Sequence, residues 1–73
     1  MNTFQFATIF TNRRKQLQLT QEDIAKFIGV SRAAVSKWEK GLSYPDITIL
    51  PKLAMYFDIS IDTLLGYEPQ LTK

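Results

Sequence analysis

Hydrophobic residues recur along this chain at the three- and four-residue spacing that is typical of amphipathic α-helices. The first such run predicts a helix from about Phe4 to Gln16, with Asn2 or Thr3 as its N-cap. The apolar stripe of this helix consists of Phe6, Phe10 and Leu17.

A second helix is predicted to begin after Thr20, because Thr20 and Asp23 have the spacing of a capping box. It ends at Gly29, a residue that readily takes the left-handed conformation found after helices. The apolar face of this helix consists of Ile24, Ala25 and Ile28.

The third helix is predicted to follow the second after a very short turn. Only Gly29 and Val30 precede Ser31, which is the N-cap of a helix that continues to Lys40 and stops at Gly41. Two helices joined by a tight turn that contains glycine have the geometry of a helix-turn-helix.

Two more helices complete the prediction. Asp46 is expected to cap a helix that reaches about Phe57, and Ser60 to cap a helix over residues 61–65 that Gly66 ends. We assign residues 1–66 to one domain and residues 67–73 to a tail or the start of a linker.

Pro51 conflicts locally with the fourth helix. At the fifth helical position it would remove a hydrogen bond to the carbonyl of Ile47 and crowd that turn. The first turn is therefore expected to be distorted, or the regular helix to begin nearer Leu50.

Composition favours an all-α bundle of 73 residues. Hydrophobic residues make up 45% of the chain, with only three glycines and three prolines. The absence of cysteine excludes disulfides and thiolate zinc sites, and the absence of histidine removes the commonest general base and metal ligand. With no nucleophile–base or metal-ligand pattern, we expect no enzymatic activity, no metal and no cofactor.

The charge is distributed unevenly. Residues 1–44 carry seven cations and three anions, whereas residues 45–73 carry two cations and four anions. This suits a basic surface for a polyanion, although charge alone is explained as well by chance scatter over a solvated surface. Because no apolar stretch is long enough for a membrane span and no basic segment opens a secretory signal, we expect a cytoplasmic protein.

The third helix has two different faces at about 100° per residue. Ala34, Val35 and Trp38 point toward the core, and Glu39 lies at the edge. The opposite face is cationic, has small residues between long ones and lacks a carboxylate, whereas most solvated helix faces mix both signs. It consists of Arg32, Ala33, Ser36, Lys37 and Lys40. Such side chains suit base edges and phosphates in the major groove.

These residues also carry a family resemblance. The run from Leu19 to Gly41 resembles the Cro/repressor (lambda-repressor-like, Xre-type) helix-turn-helix family, and the run from Pro45 to Gly66 resembles that family's fourth and fifth helices. The resemblance covers about residues 6–66. It implies a compact five-helix DNA-binding domain in which helices two and three form the helix-turn-helix.

The resemblance further implies a function. We expect a transcriptional regulator, such as a repressor, that binds double-stranded DNA sequence-specifically with residues 31–40 in the major groove. Because one short helix reads few base pairs, we expect a homodimer on a two-fold operator.

The resemblance assigns roles residue by residue. The positions that match base-contacting residues are Ser31, Arg32, Ala33, Ser36 and Lys37. The positions that match backbone-contacting residues are Gln21, Lys40, Ser43, Tyr44 and Arg14. Arg14 and Glu39 also match a pair that forms an ion pair in several members.

Three residues depart from the family pattern, and one of them is Pro51, which replaces a common apolar residue. Arg13 stands where leucine is usual, so either its aliphatic stem replaces leucine in the core or this face of helix one turns slightly. Gln18 stands where glycine or asparagine is common, so that turn is either less tight or strained.

A second hypothesis is a protein-interaction module, such as an antitoxin, that would use helix five and the tail. The residues in question, which equally well form a dimer patch or complete the core, are Ile61, Leu64, Leu65 and Tyr67. In similar proteins such a tail leads into a C-terminal effector domain. The sequence leaves open the operator, the direction of regulation and any signal sensed.

Overall fold

The computed structural model describes residues 5–66, and this range contains five α-helices and no strand. The helices are α1 (Phe6–Gln16), α2 (Gln21–Ile28), α3 (Arg32–Glu39), α4 (Leu50–Phe57) and α5 (Ile61–Leu65). The predicted all-α architecture is confirmed. Among the helices of residues 5–66, none is both long enough and apolar enough to cross a membrane.

Helix α1 begins later than predicted. Its first residue is Phe6, and its N-cap Gln5 makes no side-chain capping bond. Asn2 and Thr3, the predicted caps, lie outside the described residues, as does the tail at residues 67–73.

The capping signals around the helix-turn-helix are confirmed. The Thr20 hydroxyl accepts a hydrogen bond from the amide of Asp23, whose carboxylate accepts one from the amide of Thr20. Gly29 ends α2 in the left-handed conformation with φ of 90°. The Ser31 hydroxyl accepts a hydrogen bond from the amide of Ala34 and so caps α3. Three residues therefore suffice to separate α2 from α3.

Helix α4 begins at Leu50 rather than directly after Asp46. Pro51 is its second residue, where the missing N–H has no partner to lose. The Asp46 carboxylate instead accepts hydrogen bonds from the amide and the hydroxyl of Thr48, forming a turn ahead of the helix. Of the two outcomes expected for Pro51, the later start is the one found.

The core is built around the aromatic side chains of α1. Phe10 is fully buried, with its ring centroid 5.9 Å from that of Trp38 on α3 and 5.3 Å from that of Phe57 on α4. The predicted core role of Trp38 is confirmed. Leu17, predicted to extend this stripe, is 38% exposed, because α1 ends at Gln16 and the chain turns through Gln18 with φ of 59°.

Arg13 is half-buried and connects α1 with α4. Its Nε donates a hydrogen bond to the main-chain carbonyl of Phe57 at 2.9 Å. That carbonyl lies at the C-terminal end of α4, where helix carbonyls lack partners and a cation is stabilised by the helix dipole. The guanidinium thus has a structural partner that the leucine usual at this position could not provide.

Candidate nucleic-acid interface

Helix α3 has one buried face and one exposed face, as predicted. Val35 is fully buried and Trp38 is 4% exposed, and Ala34 packs partly buried against the same core. This anchoring fixes the orientation of the helix relative to α1 and α2. The opposite face is left available to a partner.

The predicted base-contacting side chains lie together on that exposed face or at its start. Arg32, Ala33 and Lys37 are exposed, and Ser36 is half-buried beside them. Within residues 5–66 the side chains of Arg32 and Lys37 make no hydrogen bond or ion pair, so their donors are available to a ligand. Ser31 lies at the helix start, where its hydroxyl oxygen serves as the cap.

Side chains from α1, α2 and α3 meet at the C-terminal end of α3. Arg14 on α1 contacts Glu39 at the end of α3 through Nε and Nη2, and its Nη1 donates to the carbonyl of Leu19. Gln21, the first residue of α2, donates from Nε2 to Oε1 of Glu39 at 3.0 Å. The predicted pairing of Arg14 with Glu39 is present in the structure, but the bond from Gln21 was not anticipated.

The environment of Glu39 keeps its carboxyl ionised. Burial of the group raises its pKa, but hydrogen bonds from Arg14 and Gln21 and the positive charge of Arg14 outweigh burial, and the pKa lies below its ordinary value. The side chains of Arg14 and Glu39 are only 14% and 9% exposed. The pair is therefore shielded from solvent, and the positive charge of Arg14 is balanced locally.

The predicted backbone-contacting residues after α3 differ in how far they are exposed to solvent. Lys40 is the exposed C-cap of α3, and Ser43 is half-buried in the following loop. Tyr44 is 57% exposed, with its ring centroid 5.9 Å from that of Phe6. Lys40 and Tyr44 can reach a partner, whereas Ser43 is partly covered.

Comparison with known proteins agrees with this geometry. A helix-turn-helix family model matches residues 12–64, which include all of α2 and α3. The chain belongs to this helix-turn-helix family. The resemblance to Cro/repressor proteins is thereby confirmed.

Two curated relatives are transcription factors by name. The activator BcrR of Enterococcus faecalis is 40% identical over 67 residues, which are 86% of this chain and 33% of BcrR. Repressor protein C2 of Salmonella phage P22 is 35% identical over 65 residues, which are 89% of this chain and 30% of C2. The helix-turn-helix chain thus spans about a third of the length of these two relatives.

Solved structures agree with the fold. A transcriptional regulator from Listeria innocua superposes with a TM-score of 0.89 at 34% identity, over 97% of this chain and 66% of that one. The P22 c2 repressor, in complex with a synthetic operator, superposes with a TM-score of 0.79 at 32% identity, over 86% of this chain and 96% of that one.

An apolar surface on this helix-turn-helix domain was not predicted from the sequence. Leu42, Tyr44 and Ile47 lie in the loop between α3 and α4 with 70%, 57% and 77% of their surface exposed. Beside them is an open cavity of about 250 Å³, lined by Tyr44, Pro45, Ile47, Leu50 and Leu65. We call the three exposed side chains and this cavity the loop surface.

The residues expected to form either a dimer patch or part of the core divide between the two. Leu64 is fully buried, and Leu65 packs partly buried against the core while also lining the cavity. Ile61 is 36% exposed. Tyr67 lies outside the described residues.

Proposed function

We propose that this chain is the DNA-binding domain of a transcriptional regulator and places α3 in the major groove of double-stranded DNA. The observation that carries the proposal is the outer face of α3, where Arg32 and Lys37 are exposed beside Ala33 with no carboxylate on that face. The only acid of the helix, Glu39, is neutralised by Arg14. The family and the operator complex of the P22 relative support the same function.

The base-contacting residues would be those at the start and along the outer face of α3. Arginine can donate two hydrogen bonds to guanine, serine can bond several base edges, and the methyl group of alanine can contact the methyl group of thymine. We assign these roles to Ser31, Arg32, Ala33, Ser36 and Lys37.

The backbone-contacting residues would flank the same helix. Gln21 lies at the N-terminus of α2, and Lys40, Ser43 and Tyr44 follow α3. Arg14 uses three of its five N–H groups within the protein, one each from Nε, Nη1 and Nη2. We propose that Arg14 holds Glu39 with these bonds and offers a remaining N–H to a backbone phosphate.

A second copy of the chain is the partner we propose for the loop surface. Its lining is uncharged, and it offers a projecting side chain, Ile47, next to a cavity. A projection beside a cavity is the self-complementary arrangement that a two-fold interface requires. Since the loop directly follows α3, pairing through it would hold two recognition helices side by side on a two-fold operator.

The decisive experiment selects the duplexes that the purified chain prefers from a random pool. The mass of the resulting complex then reports how many chains bind. We expect a defined two-fold sequence, two chains per duplex, and binding that weakens steeply with salt as phosphate contacts release counterions. Binding without sequence preference, or no binding to any duplex at low salt, would refute the proposal.

A protein-interaction module is the second candidate, and the loop surface is the observation that favours it. An antitoxin-like role would place a different protein against Leu42, Tyr44 and Ile47. The two candidates differ in the same experiment, because a module of this kind would not select a duplex sequence.

The proposed activity is binding, without a chemical step. Because the chain spans about a third of BcrR and of the P22 repressor, we place it within a regulator that carries a further C-terminal effector domain. We also propose a cytoplasmic location, which the bacterial and phage origin of these two relatives supports.

A further inference from the structure

Glu39 fixes the side-chain orientation of Gln21. The Gln21 amide donates from Nε2 to Oε1 of Glu39 at 3.0 Å across the helix-turn-helix, from the first residue of α2 to the last residue of α3. A primary amide has one end that only accepts hydrogen bonds and one that donates two. An ionised carboxylate only accepts, so it binds the NH₂ end and disfavours the flipped amide.

Arg14 makes this arrangement compatible with a nearby phosphate. A free carboxylate beside a phosphate-binding amide would repel the phosphate, but Arg14 donates to both carboxylate oxygens of Glu39. Both side chains are largely shielded from solvent. The carboxylate is therefore held in place and its charge is balanced.

One N–H of the Gln21 amide remains without a partner. Nε2 carries two hydrogens, and among residues 5–66 the one bond it makes is to Glu39. Gln21 is itself only half-buried, so the second N–H can reach a ligand. A phosphate oxygen only accepts, which means that this N–H is the end of the amide that a DNA backbone requires.

We propose that Glu39 is a positioning residue for DNA backbone recognition, holding the Gln21 amide with its second N–H toward a phosphate. The inference rests on the proposed function, since it needs a duplex on α3. It gives Glu39 a role in binding beyond the ion pair with Arg14. It also gives a reason for a carboxylate in a helix that otherwise presents cations.

A double-mutant cycle tests this inference with the wild type, Glu39→Gln, Gln21→Ala and the double variant. The Kd of each protein is measured by fluorescence anisotropy at one salt concentration and well below its unfolding temperature. Two duplexes are used, the preferred site and an unrelated sequence. Removing the charge of Glu39 changes the general attraction to DNA in both backgrounds, so this effect cancels in the cycle.

We expect Glu39→Gln to weaken binding about three- to tenfold more in the wild-type background than in the Gln21→Ala background. Glutamine at position 39 can present either end of its amide, so it no longer fixes which end of the Gln21 amide faces the phosphate. The coupling is expected to be equal on both duplexes, because phosphates carry no sequence. Equal effects of Glu39→Gln in the two backgrounds would overturn the inference, since Glu39 would then act independently of Gln21. Wild-type affinity in Gln21→Ala would overturn it as well.

These outcomes are distinct from failure of the proposed function, in which the wild type itself would bind no duplex and the inference would fall with it. If Glu39→Gln does not fold, the side-chain amide protons of wild-type Gln21 can be followed by NMR during addition of duplex. We expect one of the two protons to shift and the one donated to Glu39 to stay. Equal shifts of both, or of neither, would overturn the inference.

Discussion

Arg14 and Glu39 are 25 residues apart in sequence and form two hydrogen bonds between a guanidinium and a carboxylate, from Nε and from Nη2, the second at 3.1 Å. The two side chains belong to α1 and α3, the helix that carries the proposed base-contacting residues. Because the pair is largely shielded from solvent, removing one partner would leave the other charge poorly solvated, which costs more than breaking an exposed salt bridge. The pair connects the stability of the domain with the placement of its recognition helix.

This pair makes stability depend on pH in a defined direction. The pKa of Glu39 is lowered from 4.5, so the folded state binds this proton less readily than the unfolded state. The stabilisation is therefore complete above about pH 4.5 and is lost as the pH falls through the folded-state pKa. At about pH 7, Glu39→Gln should cost about 1–3 kcal/mol of unfolding free energy.

Thermal unfolding of wild type and Glu39→Gln as a function of pH checks this prediction. The gap between their Tm values should narrow as the solution is acidified. Asp23 and Asp46 also have lowered pKa values, but both are present in the two proteins and cancel in the comparison. A gap that stays constant or widens toward acid pH would contradict the prediction.

Arg32 and Lys40 should affect DNA binding in different ways. Arg32→Ala removes a side chain that can read a base, so it should cost about 1–3 kcal/mol on the preferred site and relax one base position. Lys40→Ala should weaken binding to all sequences alike. It should also reduce the slope of log affinity against log salt concentration by about one, because one phosphate contact is lost.

Competition binding against single-base variants of the preferred site, repeated over a range of salt, measures both effects. Lys52→Ala is the matched control, because Lys52 is an exposed cation on α4, outside the proposed interface. If Arg32→Ala left the sequence preference unchanged, the assignment of Arg32 to base recognition would be wrong.

Gln18→Gly should stabilise the domain. Gln18 has φ of 59°, a left-handed conformation that costs a residue with a Cβ about 1–2 kcal/mol. Glycine removes this cost but adds entropy to the unfolded chain, so the net gain should be about 0.5–1 kcal/mol. The side chain is exposed, so no buried contact is lost.

Asp58 provides the comparison for Gln18, since it has the same φ of 59°. Aspartate takes the left-handed conformation more readily than glutamine, and Asp58→Gly should therefore gain less stability. Denaturant unfolding of both variants measures the difference. An equal gain at the two positions, or a loss at Gln18, would argue against strain at Gln18.

Ile47→Asp should disrupt pairing on the operator. A charge in the middle of the loop surface would have to be buried between two copies, which is unfavourable without a partner of opposite charge. We expect the variant to lose cooperative binding to a duplex with two half-sites and to keep its affinity for a single half-site.

Met55→Asp is the matched control for pairing, because Met55 is 74% exposed and lies on α4 away from the cavity lining. Titrations of both duplexes with the two variants give the cooperativity directly. Loss of cooperativity in Met55→Asp as well, or its retention in Ile47→Asp, would show that the two copies pair elsewhere.

The fold followed closely from local signals. Three local features were predicted and are present in the structure: the capping box at Thr20, the cap at Ser31 and the left-handed conformation of Gly29. Each of them depends on residues at most four positions apart. The start of α1 and the surface position of Leu17 were predicted less well. Helix ends without a strong cap depend on what the neighbouring chain packs against.

The candidate site was predicted in its components but only partly in its connections, since the Arg14–Glu39 pair was the one contact between helices expected from the family resemblance. Helical periodicity assigned Trp38 to the core and Arg32 to the exposed face, because both follow from position around one helix. The bond from Gln21 to Glu39 and the bond from Arg13 to the carbonyl of Phe57 join separate helices. Sequence spacing carries no information on which side chains meet across a tertiary contact.

The sequence by itself therefore determined the five helices, the caps at Thr20 and Ser31 and the two faces of α3, since these depend on residues within a few positions of one another. Tertiary structure alone decided three further features: the partner of Gln21, the shielding of the Arg14–Glu39 pair and the exposure of Leu42 and Ile47 beside a cavity. Each depends on distances between helices, which are set by how the aromatic core around Phe10 packs.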